Sequence, residues 1–257
     1  MTTGNDHVLA RELAAEAGRR LLELRARGGE PDVLRKAGDQ LAHEFLTTAL
    51  AARRPGDVVL SEEGADDPAR LTAGRVWIVD PLDGTREFGE PGRADWAVHV
   101  ALWERTGPAG TGELTAGAVA LPAQDQVLST ASPAGPLPPS GAGARVRIVV
   151  SRTRAPRLVQ NISDLIDTEL VPLGSAGAKV AAVVCGEADA YVHAGGFYEW
   201  DTAAPVAVAR AAGCHASRID GSPLIYNQAS PLMPDILVCR PALEGALLQA
   251  IREIKES

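Results

Sequence analysis

Cysteine is scarce. Cys185, Cys214 and Cys239 are the only three in 257 residues, far apart and odd in number. That excludes a disulfide framework or a zinc pattern and fits small buried thiols in a reducing compartment. Aromatic residues make up 4% of the chain, so the core has to be built mainly from aliphatic side chains. Trp77, Trp96 and Trp103 sit in strand-like runs and are read as part of that core. No apolar run approaches the length of a bilayer crossing. The first residues, Met1-Thr2-Thr3-Gly4-Asn5-Asp6, lack the basic start and apolar stretch of a signal peptide, so the expectation is a cytoplasmic protein without a membrane partner. Positive charge is also short: 25 Lys and Arg stand against 33 Asp and Glu, a net charge of −8, which argues against a broad nucleic-acid surface. The five histidines are scattered, and none falls in a nucleophilic triad pattern.

What the chain does have is 46% apolar residues and clear periodicity, enough for one large domain or two lobes. Leu9, Leu13, Ala17, Leu21 and Leu24 recur at helical spacing, and Gly28-Gly29 ends that helix. A second helix is expected from near Asp39 to Arg54-Pro55. Short strands follow at Val58–Ser61, Val76–Val79, Trp96–Trp103, Leu114–Leu121 and Val127–Thr130. Residues 132–144 are almost all Pro, Gly, Ala and Ser and read as a linker, separating an N-terminal α+β lobe (1–131) from a C-terminal α/β lobe (145–257). In the second lobe strands near Arg145–Val150, Glu169–Leu173, Asp189–His193 and Ile236–Cys239 alternate with helices near Arg157–Asp167, Ala178–Cys185, Thr202–Ala212 and the carboxyl end.

The most informative junction is Asp80-Pro81-Leu82-Asp83-Gly84-Thr85, directly after the apolar run Val76-Trp77-Ile78-Val79. Such a run reads as a strand buried on both faces, whose carboxyl end opens onto a crevice. Gly84-Thr85 begins a helical turn whose free amides favour an anionic group such as phosphate. Two ionised aspartates in one turn repel unless a proton or a cation intervenes. A neighbouring strand, Val58–Ser61, would bring Glu62-Glu63 alongside Asp80. All the donors are hard oxygens, which points to magnesium, with manganese as a substitute, and to hydrolysis of a phosphate ester. Taken alone, the Asp80–Gly84 segment is equally well a turn serving local hydrogen bonds.

Together with Glu62-Glu63 and Trp200-Asp201-Thr202-Ala203-Ala204, this segment resembles the three signatures of the inositol monophosphatase superfamily, in the same order and over nearly the whole chain. The runs Val98-His99-Val100-Ala101-Leu102, Gly174-Ser175-Ala176-Gly177-Ala178-Lys179 and Trp200–Pro205 are more similar to its CysQ-type 3'(2'),5'-bisphosphate nucleotidase branch. The resemblance implies an α/β fold layered as an αβαβα sandwich and a lithium-sensitive phosphatase using two or three Mg2+ ions. It implies removal of the 3'-phosphate of 3'-phosphoadenosine 5'-phosphate or its sulfated precursor, in sulfate assimilation. Metal ligands would be Glu62, Asp80, the Leu82 carbonyl, Asp83 and Asp201, with Asp201 also a natural N-cap. Asp39 and Thr85 would relay the proton of a water held beside Glu62 for in-line attack, and the Gly84 and Thr85 amides would hold the phosphoryl group. Ser175 and Lys179 align with residues that meet a second phosphate. His193 stands where many relatives have arginine, and Ser151-Arg152-Thr153-Arg154 where they have Ser-Arg-Ser-His. Both departures leave two alternatives, a second phosphate held less firmly or one held by Arg154 instead, with Ser151 beside it. Phe197 and Tyr198, after Gly195-Gly196, could equally stack on a base or close the interface between lobes.

Two other readings remain open. An inositol monophosphatase or fructose-1,6-bisphosphatase would share the metal site, and a non-catalytic regulatory protein would share only the fold. The expected partner is a small phosphate ester, and the sequence leaves a homodimer open.

Overall fold

The computed structural model describes residues 4–108, 111–135, 145–152 and 157–256. Its first helix, α1 (Gly4–Ala26), buries Leu9, Leu13, Ala17 and Leu21 along one stripe. It stops before Gly28 and Gly29, both at positive φ. The second helix, α2 (Pro31–Arg53), starts at Pro31 and not near Asp39. Proline suits a first helical position, where no amide is needed, and the buried stripe Leu34, Gly38, Ala42, Leu46 and Leu50 runs on through Asp39's turn.

β1 (Val58–Ser61), β2 (Arg75–Asp83), β3 (Ala97–Arg105), β4 (Gly112–Leu121) and β5 (Gln126–Ser129) form one sheet in that order. β1 is parallel to β2 and the other pairs are antiparallel. A short helix, α3 (Thr85–Gly89), follows β2. The second sheet has β7 (Thr168–Leu173), β6 (Val146–Ser151), β8 (Ala190–Tyr198), β10 (Leu232–Cys239) and β9 (His215–Ser217) side by side. Among them run α4 (Arg157–Leu165), α5 (Ala176–Val184), α6 (Glu199–Ala211) and α7 (Glu244–Glu256). β9 has no clear sequence signal, being three residues long, and β8 continues through Gly195-Gly196 to Tyr198. Of residues 132–144, those from 136 onward lie outside the described residues.

The cores establish the layering. Trp77, Val79, Val98, Val100 and Leu102 pack on α1 and α2. Their strand neighbours Val76, Ile78, Ala101 and Trp103 face α5 and α6, which also cover Tyr191, Ile236 and Val238 of the second sheet. The far face of that sheet, with Ile148, Val150, Val192 and Leu237, packs on α4 and α7. The order is therefore helices, sheet, helices, sheet, helices, an αβαβα sandwich. Strands buried on both faces explain why the Val76–Val79 run is apolar without alternation. No helix among the described residues is long and apolar enough to cross a membrane.

One irregularity positions the chemistry. In the β2·β3 pairing, Asp80 faces His99 but Asp83 faces Ala97, so three steps on β2 match two on β3. A bulge of this kind re-aims a side chain, and Pro81, unable to join a regular ladder, sits inside it. Without it, Asp80 and Asp83 would point to opposite faces.

The middle helix layer lies unusually close to the first sheet. A Cβ placed on Gly117 of β4 would stand 2.7 Å from the Ala207 Cβ of α6. Gly117→Val is expected to lower stability by about 3 kcal/mol through overpacking, measured by urea unfolding. An unchanged midpoint would show that α6 can retreat freely.

Candidate active site

Parallel pairing of β1 with β2 aligns Ser61 with Val79. The next residues, Glu62 and Asp80, then leave the sheet side by side, with the Glu62 amide donating to the Val79 carbonyl at 3.4 Å. Their carboxyls are close enough for each to shift the pKa of the other. The bulge adds Asp83, and the first turn of α6 adds Asp201. Carboxylate oxygens of Asp80, Asp83 and Asp201 lie within 4.8 Å of one another.

Each acid is held differently. Asp80 is buried; its Oδ1 accepts the Leu82 amide at 3.0 Å, while Oδ2 has no hydrogen-bond partner. Burial, followed by the charges of Asp83, Glu62 and Asp201, raises its pKa well above the ordinary carboxyl value. Asp83 accepts amides from the start of α5: Ala176 at 3.2 Å and Gly177 at 2.6 Å. Burial would push its pKa up, but buried His99, whose Nε2 lies 3.1 Å away, the Gly177 amide and Lys179 hold it below the ordinary value. Asp201 is the third residue of α6 and not its N-cap, because the helix already begins at Glu199. Its Oδ2 reaches back to the Tyr198 amide at 2.6 Å. Desolvation, then the charge of Asp83, raises Asp201 to about 6. Glu62 is raised to about 7 by desolvation and then by Asp201. Glu62 is exposed and is not one of the three acids whose oxygens lie within 4.8 Å of one another, so its link to the cluster is electrostatic.

Acids crowded this way, with a buried oxygen left unpaired, fit a divalent cation, and an all-oxygen donor set suits a hard one. The arrangement is built to concentrate negative charge, so cation binding and acid ionisation are coupled.

Thr85 Oγ1 lies 3.2 Å from Asp39 Oδ1 and 3.0 Å from the Leu82 carbonyl, two acceptors for one hydroxyl proton. Asp39 is raised to about 6, first by burial and then by Glu63. Gly84 caps α3 at φ +84°, a conformation that favours glycine. A side chain there would also press on Ser175, 3.0 Å from the added carbon.

From Asp83 and Asp201 a pocket of about 280 Å³ extends toward the second sheet, and Gly84, Ser151, Ser175, Lys179 and His193 all line it. Arg154 lies outside the described residues. Ser175 is the N-cap of α5, its hydroxyl accepting the Ala178 amide at 2.8 Å. Lys179 is buried, not solvated; its Nζ donates to the carbonyls of Gly174 and Ser175. His193 is pushed down to about 4 by burial and by Lys179, so it is neutral at physiological pH, and its ring lies 4.1 Å from that of Phe197. Phe197 lines the pocket, whereas Tyr198 points away and stacks on Trp200.

Sequence reasoning gave no role to two side chains here. Besides its contact with Asp83, His99 places Nδ1 3.1 Å from the Trp200 carbonyl, tying Asp83 to the turn that carries Asp201. A lone imidazole inside the apolar run Val98–Leu102 was the available signal. Arg152 lines the pocket and pairs with Glu87 and Glu90 of the α3 region at 2.9 and 2.8 Å, a pairing across lobes that no local pattern announces.

A five-layer sandwich that gathers carboxylates at strand ends beside a cation-edged pocket defines the class of layered, metal-dependent phosphatases. The chain belongs to the inositol monophosphatase family, whose family model matches residues 7–256. It is 52% identical over 255 residues to the 3'-phosphoadenosine 5'-phosphate phosphatase of Mycobacterium leprae, covering 97% of this chain and 94% of that protein. It is 31% identical to the 3'(2'),5'-bisphosphate nucleotidase CysQ of Escherichia coli K12, covering 84% and 92%. Among solved structures, CysQ from Bacteroides thetaiotaomicron superposes with a TM-score of 0.77 at 26% identity, covering 92% of this chain and 97% of that one.

The raised acids set the pH behaviour of the chelator-treated protein. Groups whose pKa is higher folded than unfolded stabilise the fold at low pH and lose that contribution as pH rises. For Asp39, Glu62 and Asp201 the loss should run from the ordinary carboxyl range up to about 7. The melting temperature in EDTA is expected to fall between pH 5 and 7.5. Mg2+ should restore it, more at pH 7.5 than at pH 5, as read by calorimetry. A flat profile indifferent to Mg2+ would contradict the carboxylate assignment.

Proposed function

We propose that this protein is a magnesium-dependent phosphatase that removes the 3'-phosphate of 3'-phosphoadenosine 5'-phosphate, and of its sulfated precursor, in sulfate assimilation. The observation that carries this reading is the convergence of Asp80, Asp83 and Asp201, with Glu62 close enough to feel their charge, beside a pocket containing a buried lysine. The 52% identity over 97% of the chain to a phosphatase named for that nucleotide supports the substrate.

Glu62, Asp80, Asp83, Asp201 and the Leu82 carbonyl would hold the ions. Bound Mg2+ would supply Lewis-acid stabilisation of phosphoryl charge and acidify water. The protein's own groups do the rest. Asp39 accepts the Thr85 proton, leaving the Thr85 oxygen able to accept one from the attacking water, with Glu62 a second acceptor. Asp39, raised to about 6, sits near working pH, where a relay of this kind is most effective. The Gly84 and Thr85 amides, at the opening turn of α3, donate to the phosphoryl oxygens where negative charge builds up. Water attacks phosphorus in line with the departing 3'-oxygen, that P–O bond breaks, and the alkoxide takes a proton from solvent. No covalent enzyme intermediate is required.

Lys179 supplies positive charge for the second phosphate, by turning its ammonium from the Gly174 and Ser175 carbonyls toward the ligand. His193, being neutral, contributes packing beside Phe197 and not charge. That division favours a bisphosphate whose second group lies near α5.

Asp39→Asn and Thr85→Ala are each expected to reduce kcat about 100-fold with KM little changed, measured by phosphate release in Mg2+. Lys179→Met should raise KM for 3'-phosphoadenosine 5'-phosphate about tenfold and leave turnover of inositol 1-phosphate unaltered. Equal losses on both substrates would remove Lys179 from specificity. Faster wild-type turnover of inositol 1-phosphate or fructose 1,6-bisphosphate would overturn the substrate assignment.

A further inference from the structure

The segment after β1 places four acids in six residues, Glu62, Glu63, Asp66 and Asp67, all exposed. Glu62 at its start feels the like charges of Asp201 and Asp83, which disfavour its approach to the cluster. The segment's backbone anchors are modest: the Glu62 amide to Val79 at 3.4 Å and the Gly64 amide to Ser61 at 3.2 Å. Among the described residues, the recorded polar side-chain contacts of residues 65–67 are those of Asp66 with Arg70 and of Asp67 with the Ala69 amide.

Arg70 is the first basic residue after this acidic run, and it is 1% exposed. Its Nε and Nη2 donate to Asp66 at 2.6 and 2.9 Å, while Nη1 donates to Asn227 Oδ1 at 2.9 Å and to the Gln228 carbonyl at 2.8 Å. Asn227 answers by donating its side-chain amide to the Arg70 carbonyl at 3.0 Å. The Asn227 and Gln228 amides in turn donate to buried Glu199 at 2.6 and 2.8 Å. Glu199 opens α6, two residues before Asp201. A continuous chain of charge-assisted hydrogen bonds therefore runs from the Glu62 loop to the turn that carries Asp201. A buried guanidinium is costly unless its donors are matched, and this one is matched on both sides of the site.

We infer that Arg70 and Asp66 are positioning residues: they tether the Glu62–Glu63 loop to the start of α6 and so hold Glu62 over the carboxylate cluster. The inference rests on the metal reading above. Outer partners that orient ligands tune ion affinity without touching the ion.

The test is isothermal titration of the full-length chain with Mn2+, no substrate present. Asp66→Asn, altering a side chain 43% exposed, should fold normally, with a melting temperature in chelator within about 2 °C of the parent. Its Mn2+ Kd should rise about tenfold. Arg70→Gln separates tethering from through-space charge. Removing a nearby positive charge would by itself tighten cation binding, whereas loss of the tether weakens it. Weaker Mn2+ binding in both variants supports the proposal. Affinity within twofold of the parent in Asp66→Asn, or tighter binding in a folded Arg70→Gln, overturns it while leaving the metal site standing. If the parent chain takes up no Mn2+, the metal reading itself fails and the tether falls with it.

Discussion

Carboxylates forced together out of water are the constraint on which this structure turns. Asp80 and Asp83 are buried, the charge of Asp83 is felt by Glu62 and Asp201, and acids this close repel unless protons, amides or cations compensate them. Each acid is therefore fixed from a separate direction. Parallel strand pairing delivers Glu62 to Asp80, a bulge turns Asp83 inward, α5 caps Asp83 with two amides, and α6 folds Asp201 back onto its own first turn. The middle helix layer that carries Asp201 and caps Asp83 is packed between the two sheets.

The distribution of charge follows from the same problem. The chain carries a net charge of −8, yet the pocket sets Arg86, Arg152 and Lys179 beside Asp83, Glu87 and Asp201. Arg152 is committed to Glu87 and Glu90, and His193 is kept neutral by burial and by its cationic neighbour. Arg86 pairs with Glu90 at 3.2 Å, whereas Lys179 is held against two carbonyls and not by an ion pair. The neutral imidazole and Phe197 leave the opposite wall apolar.

Much of this was legible in the sequence because the acids sit at punctuation points. Asp80 and Asp83 close an apolar run, Glu62 follows a second strand, and Asp201 lies in the first turn of a helix rich in alanine. The strand order that joins them follows from parallel pairing of neighbours. What escaped were relations without a local pattern. The bulge depends on register against β3, which residues 80–83 do not specify. His99 is one polar residue in an apolar strand, and its partners lie on β2 and α6. Arg70 finds Asn227 across 157 positions. The starts of α2 and α6 lie earlier than the sequence suggests, at Pro31 and Glu199, because a polar residue such as Asp39 or Asp201 resembles a helix opening. In fact Pro31 opens one helix, and in the other Asp201 serves the Tyr198 amide from within.

The capping of Asp83 by Ala176 and Gly177 joins the two halves of the chain at one carboxylate. During synthesis, a ribosome that has released residues 1–135 has already exposed the whole Asp80–Thr85 turn. The amides that steady Asp83 and the carboxylate of Asp201 are then still unmade. The Asp80–Thr85 turn therefore reaches its final surroundings only once the second half of the chain has been made and has folded onto it.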